Sequence, residues 1–138
     1  MSDYVVKIAL IASIIMMGYN ISEFAASFKT VSEKVGEFLS LAKENSATDT
    51  DLRRSNLFLS CLLSIGYVTL VYFSDIVVWI VALVVLKLIF TLLISDKLLI
   101  QVLRDGSLSR KCYLVSKFDA LFNAVMGFVF ALILVFFF

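Results

Sequence analysis

One lysine stands in the middle of an otherwise apolar run. Lys87 interrupts residues 76–94, IVVWIVALVVLKLIFTLLI, and no other charge falls inside them. At the centre of a bilayer an ammonium costs about 2.5–3.5 kcal/mol on insertion scales, so such a group turns towards protein or water. Two chemistries follow. Lys87 lines a water-filled pore or vestibule, where it favours anions, or it snorkels and hydrogen-bonds to a neighbouring helix. Glu23 and Asp75 belong to the ends of their apolar runs, which leaves Asn123 as the nearest partner at that depth. A second group is basic: Arg104, Arg110, Lys111 and Lys117, with Lys97 nearby. It suits an anionic ligand, either a nucleotide phosphate or a lipid headgroup. It equally suits a purely topological role.

Catalysis finds no support. The chain has no histidine, no glycine-rich phosphate loop and no metal-type spacing, and Cys61 and Cys112 form no CxxC pair. Its serines and cysteines lack an evident base. No cofactor is implied, the expectation is a protein that is not an enzyme, and a net charge of +1 makes no case for nucleic acid.

The elements that position these residues are written in the composition. Of 138 residues, 62% are hydrophobic and 17% charged, and the mean hydropathy is +1.03. A soluble domain of this size cannot hide that much apolar surface, so the solvent is a bilayer. We expect an all-α integral membrane protein, one domain with four spans at about 4–24, 57–73, 76–95 and 119–138. The short first run also fits a secretory signal peptide. The pattern that runs on through 25–27 argues for keeping it in the mature chain. Residues 45–51 form a loop, and Ser74 with Asp75 a two-residue turn in which Ser74 caps the next helix. Gly106 then ends one helix and Ser107 caps another. Lysine and arginine number five in 29–54 and five in 97–117, with none in the 74–75 turn. The positive-inside rule places both stretches in the cytoplasm and both termini outside, in an inner (plasma) membrane.

A seam ties the first span to the loops. In steps of four and three, Leu10, Ile14, Met17, Ile21, Phe24, Phe28, Val31, Val35, Phe38 and Ala42 are all apolar. Between Ile21 and Glu44, seven of eleven apolar residues lie on it. A sustained period of 3.5 argues for one continuous helical rod, about 60 Å long over forty residues, that leaves the membrane. Lys29 with Glu33 and Lys34 with Glu37 are spaced to pair on its wet face. With 97–117 the rod forms a cytoplasmic stalk. Its stripe, Phe24, Phe28, Val31, Val35 and Phe38, meets copies of itself, or the third and fourth helices of its own chain, or the membrane surface. Around an axis of copies, Lys7 rings the outer mouth, and Leu10, Ile14, Met17 and Ile21 make a hydrophobic gate. The same four also read as ordinary lipid- or protein-facing residues.

This plan of four spans, the seam from Ile21 to Phe38 and Lys87 in mid-span resembles the small multi-span effectors of bacterial antiphage defence systems. The resemblance covers the whole chain at the level of architecture and transfers no site residue. It implies a homo-oligomeric pore or channel, gated from its stalk by a cytoplasmic partner protein or nucleotide signal. The alternative is a non-conducting anchor or accessory subunit that docks a cytoplasmic partner.

Overall fold

The structure is a computed structural model that describes residues 3–137; Phe138, assigned above to the fourth span, lies outside the described residues. The chain forms five helices: α1 (Asp3–Ala25), α2 (Phe28–Glu44), α3 (Asp49–Phe73), α4 (Val78–Asp105) and α5 (Arg110–Phe137). No strand occurs among the described residues. Four helices, α1, α3, α4 and α5, are long and apolar enough to cross a membrane.

The four long helices close a ring in the order α1, α5, α4, α3, each antiparallel to its neighbours. The α1–α5 contact is the most extensive. Its closeness comes from Gly127, where a Cβ would sit 2.9 Å from the Ser13 carbonyl oxygen and 3.2 Å from the Met17 nitrogen. Only a residue without a side chain admits that approach. Ala9 and Ser13, both 0% exposed, form the matching small face of α1. The apolar core, Ala9, Tyr67, Val71, Ile76, Val81, Val84, Phe130 and Leu134, occupies the end of the bundle that carries the 74–77 turn. Outward faces remain greasy: Ile15, Phe58, Trp79, Phe122 and Phe136 are all exposed. Water does not tolerate a patch of that extent, whereas lipid does.

The single rod expected to run from the first span to about Lys43 is broken. Ala26 and Ser27 lie outside any helix, and Ser27 adopts φ −72°, ψ 158°, an extended geometry. Its hydroxyl caps α2 by accepting from the Thr30 N–H at 3.2 Å. The Ala26 carbonyl accepts instead from the Tyr113 hydroxyl at 2.7 Å. A serine that satisfies the backbone from its own side chain competes with helix continuation. Neither Ala26 nor Ser27 lies on the seam, so the apolar period runs past the break without registering it. The pairs Lys29–Glu33 and Lys34–Glu37 do not form, whereas Arg53–Asp96, Lys87–Asp119 and Arg104–Asp105 do.

Two other caps move. Ser74 ends α3 rather than starting α4: its hydroxyl donates to the Leu70 carbonyl at 2.7 Å, and α4 begins after Val77 with no side-chain cap. At the α4–α5 connection Gly106 takes the left-handed cap expected of it (φ 72°), but Ser109 rather than Ser107 caps α5, accepting from the Cys112 N–H. The connection is organised by Gln101, which is buried. Its amide nitrogen donates to Asp105 and to the Ser107 carbonyl, and its oxygen accepts from the Ser109 N–H at 3.2 Å. Gln101→Ala orphans two backbone groups in the turn. We expect a loss of about 1–3 kcal/mol, measurable as a lowered unfolding midpoint in detergent.

Candidate functional site

The end of the bundle opposite the apolar core is open, and polar side chains mix there with Leu59, Leu63, Leu92, Ile94 and Leu98. A crevice of about 450 Å³ enters there between the four long helices. Asn20 and Glu23 reach it from α1; Asn56, Ser60 and Ser64 from α3; Thr91 and Ser95 from α4; Ser116, Asp119 and Asn123 from α5. Helical spacing explains the sharing, because residues four to seven apart on each helix return to one face. Asn56 donates to the Ser95 hydroxyl at 3.0 Å, and Arg53 grips Asp96 through two bonds at 3.1 and 3.0 Å, which joins α3 to α4 at the rim. One to two turns beyond these lining residues, towards the apolar core, the bundle is closed. Ser13 and Tyr67 share a hydrogen bond of 2.8 Å across the bundle, and Phe130 stands edge-on to Tyr67 at 6.3 Å.

Lys87 is paired. Its ammonium donates to Asp119 at 2.6 Å and to the Thr91 hydroxyl at 2.8 Å, while Asn123 donates to the other Asp119 oxygen at 3.3 Å. Asn123 is therefore a member of the cluster, and a carboxylate is its centre. Asp119 stands at the first position of the fourth expected span, at its water-facing end. The four-carbon lysine stem removes the difference in depth by pointing one turn along α4, from 87 towards Thr91. Lys87 does not line the crevice. It lies in an outward groove between α4 and α5, walled by Phe90, Ile94, Val115, Phe118 and Phe122, and meets Asp119 through that wall.

The seam residues separate into two groups. In α1, Leu10 and Met17 are half-buried while Ile14 and Ile21 are exposed. The four do not converge within the protomer, and Lys7 is exposed beside the Tyr4 ring at 5.9 Å. Beyond them the stripe turns towards its own chain. Phe24 lies under the Lys117 ammonium at 5.2 Å, and Phe28 packs edge-on to Tyr113 at 5.4 Å beneath Arg110. Val31, Val35 and Phe38 face Leu98, Leu99, Val102 and Leu108 across a groove. No residue of α2 is fully buried.

The basic residues do not gather into one anion cradle. Arg104 bonds its neighbour Asp105 at 3.0 Å, and Lys111 is exposed. Arg110, Tyr113 and Lys117, one stripe of α5, clamp the joint between α1 and α2 instead. Tyr113→Phe removes the hydroxyl that holds the Ala26 carbonyl. Amide hydrogen exchange across residues 26–32 should then rise severalfold, with α3 to α5 unchanged.

Reading the residues alone missed Asp119, Gln101 and Tyr113. A signal existed for the first: Asp119 and Asn123 are four apart, as are Lys87 and Thr91, so two helices offer matched polar pairs. Among the described residues no group of histidine, cysteine or carboxylate side chains is arranged to hold a metal ion. No family model, curated protein or solved structure matches the chain.

Proposed function

We propose that this is a membrane-embedded pore or channel protein whose path runs through the polar crevice of each protomer, closed in this structure at the Ser13–Tyr67 contact. The observation that carries the reading is the lining. Amide, hydroxyl and carboxylate side chains from all four long helices face one interior space, in a bundle whose outside is apolar. Polar groups at such depth are costly unless they pair with one another or meet water, and Ser60, Ser64 and Ser116 make no hydrogen bond to protein. The path does not depend on copies around an axis. Assembly into homo-oligomers is proposed to use the outward row of α1, Ile14 and Ile21, which the protomer leaves uncovered. The orientation proposed keeps α2 and the 106–109 connection in the cytoplasm, as the lysine and arginine distribution directs.

Gating is assigned to α2. The groove beneath it shares Glu23, Asn56, Ser95, Leu98 and Ser116 with the crevice, so α2 roofs the mouth and pivots at Ala26–Ser27. A cytoplasmic partner or nucleotide signal that lifts α2 would widen the entrance. Purified protein in liposomes tests the reading: ions or a small dye should escape. Tyr67→Ala, which removes a core ring between the crevice and the 74–77 end of the bundle, should raise the leak at least tenfold over the parent protein. Liposomes that stay tight with both proteins sink the proposal. An effector role in defence, which the four-span plan alone suggests, would show as depolarisation of cells on forced expression.

A second reading is favoured by one observation. The stripe of α2 has no buried residue, and Phe38 and Leu41 are 40% and 58% exposed. A non-conducting anchor that docks a cytoplasmic partner on α2 would present that face. Tight liposomes together with a stoichiometric partner lost on Phe38→Ser would establish it.

A further inference from the structure

Lys87 in mid-span suggests a path that favours anions. The lining says the reverse. No lysine or arginine lines the crevice; its two ionisable carboxyl groups are Glu23 and Asp119. The charge on Asp119 is met from behind by Lys87, at 2.6 Å and from the outward groove. Glu23 forms no hydrogen bond or ion pair with any described residue, although Lys34 lines the adjoining groove. The crevice therefore carries one uncompensated negative charge, placed at its mouth.

A second observation is independent of charge. Asn20 is only 8% exposed, and its amide nitrogen is spent on the Met16 carbonyl at 2.8 Å. Asn20 lines the crevice, and no described group donates to its side-chain oxygen. Ser60, Ser64 and Ser116 line the same space and bond to no protein group. Oxygen atoms without donors, lining one crevice with an unpaired carboxylate, suit a hard cation, which takes carbonyl, hydroxyl and carboxylate oxygens and leaves N–H groups unused. The open entrance and the single net charge fit a monovalent ion that keeps part of its water. A divalent ion usually demands more charge.

We infer that the crevice is a binding site for small monovalent cations of the sodium and potassium class, with Glu23 as its charged ligand and the Asn20 oxygen as a neutral one. The inference names the permeant class for the path proposed above and rests on that reading for its physiological meaning, but binding itself is measurable without conduction. The full chain in detergent is unfolded thermally at constant ionic strength and constant chloride, with potassium replaced by N-methylglucamine. Potassium should raise the midpoint by about 3 °C or more, the effect of a ligand that binds only the folded state. Glu23→Gln, nearly isosteric, should unfold normally in N-methylglucamine and lose at least half of the potassium increment. Lys111→Gln, exposed and remote from the lining, should keep it.

No potassium dependence in the parent protein overturns the inference. So does an increment unchanged in Glu23→Gln, or a midpoint that follows replacement of chloride by gluconate instead. Conduction separates the two proposals. Tight liposomes beside a potassium-dependent midpoint sink the pore and leave the cation site standing. Leaky liposomes whose reversal potential reports anion preference sink the cation site and leave the pore.

Discussion

Asp119→Ala should destabilise the folded protein by about 3 kcal/mol, the low end of the cost of stripping one partner from a buried ion pair, because this pair is part-buried, its side chains 24% and 12% exposed. The ammonium of Lys87 keeps only the Thr91 hydroxyl at 2.8 Å once the carboxylate is gone. Its other surroundings are Phe90, Phe118 and Phe122, which offer a cation rings but no counter-charge. Lys87→Met should cost less, because Asp119 retains Asn123 as a donor and lies on the wet side of the wall. This asymmetry separates a pair that faces two environments from one sealed in a uniform core. Replacing both, Lys87→Met with Asp119→Leu, should recover most of the loss, since an apolar pair of similar volume avoids desolvation altogether. The measurement is a double-mutant cycle on unfolding midpoints in detergent, scored by the fraction that elutes as a single folded species. Additive single effects would show that the two residues do not depend on each other, despite their 2.6 Å separation.

The sequence made the coarse plan readable because lipid-facing helices are written in runs of composition, and composition survives averaging. The four long helices and the glycine cap at Gly106 came through for that reason: each depends on one stretch or one residue acting locally. The break at Ser27 did not, although its cause is equally local. Serine favours caps but also occurs inside helices here, as at Ser60 and Ser64 of α3, and the apolar period on either side of Ser27 stays in step. What decides the matter is Tyr113, eighty-seven positions along the chain from Ala26, whose hydroxyl takes the carbonyl that a continuous helix would need. Asp119 was hidden differently. It stands at the very start of the fourth expected span, and the reach of the Lys87 stem cannot be read from spacing. The crevice is a property of four helices at once; Ser60, Ser95 and Ser116 become a lining only when the ring closes, and singly each looks like a small residue for close packing.

Gly127 should be the least replaceable glycine in the chain. A Cβ there meets the Ser13 carbonyl oxygen at 2.9 Å and the Met17 nitrogen at 3.2 Å, both backbone atoms, so no rotamer change relieves the contact. Gly127→Ala requires α1 and α5 to part by a few tenths of an ångström and should cost on the order of 1–3 kcal/mol. Gly127→Leu cannot be accommodated without separating the most extensive helix contact in the bundle. That separation would also pull Ser13 away from the Tyr67 hydroxyl, which it meets at 2.8 Å. Two outcomes should therefore appear together in Gly127→Ala: a lower unfolding midpoint, and a leakier protein in liposomes at temperatures where it remains folded. The same substitution elsewhere supplies the contrast. Gly18 and Gly66 have nothing within 4 Å of a built Cβ, and both lie inside helices, so alanine there should stabilise by about 0.5–1 kcal/mol. If Gly127→Ala behaves like Gly66→Ala, the close α1–α5 approach is not what holds the end of the crevice shut. If only the leak changes and the midpoint does not, the Ser13–Tyr67 contact acts as a gate that helix separation opens at little cost in stability.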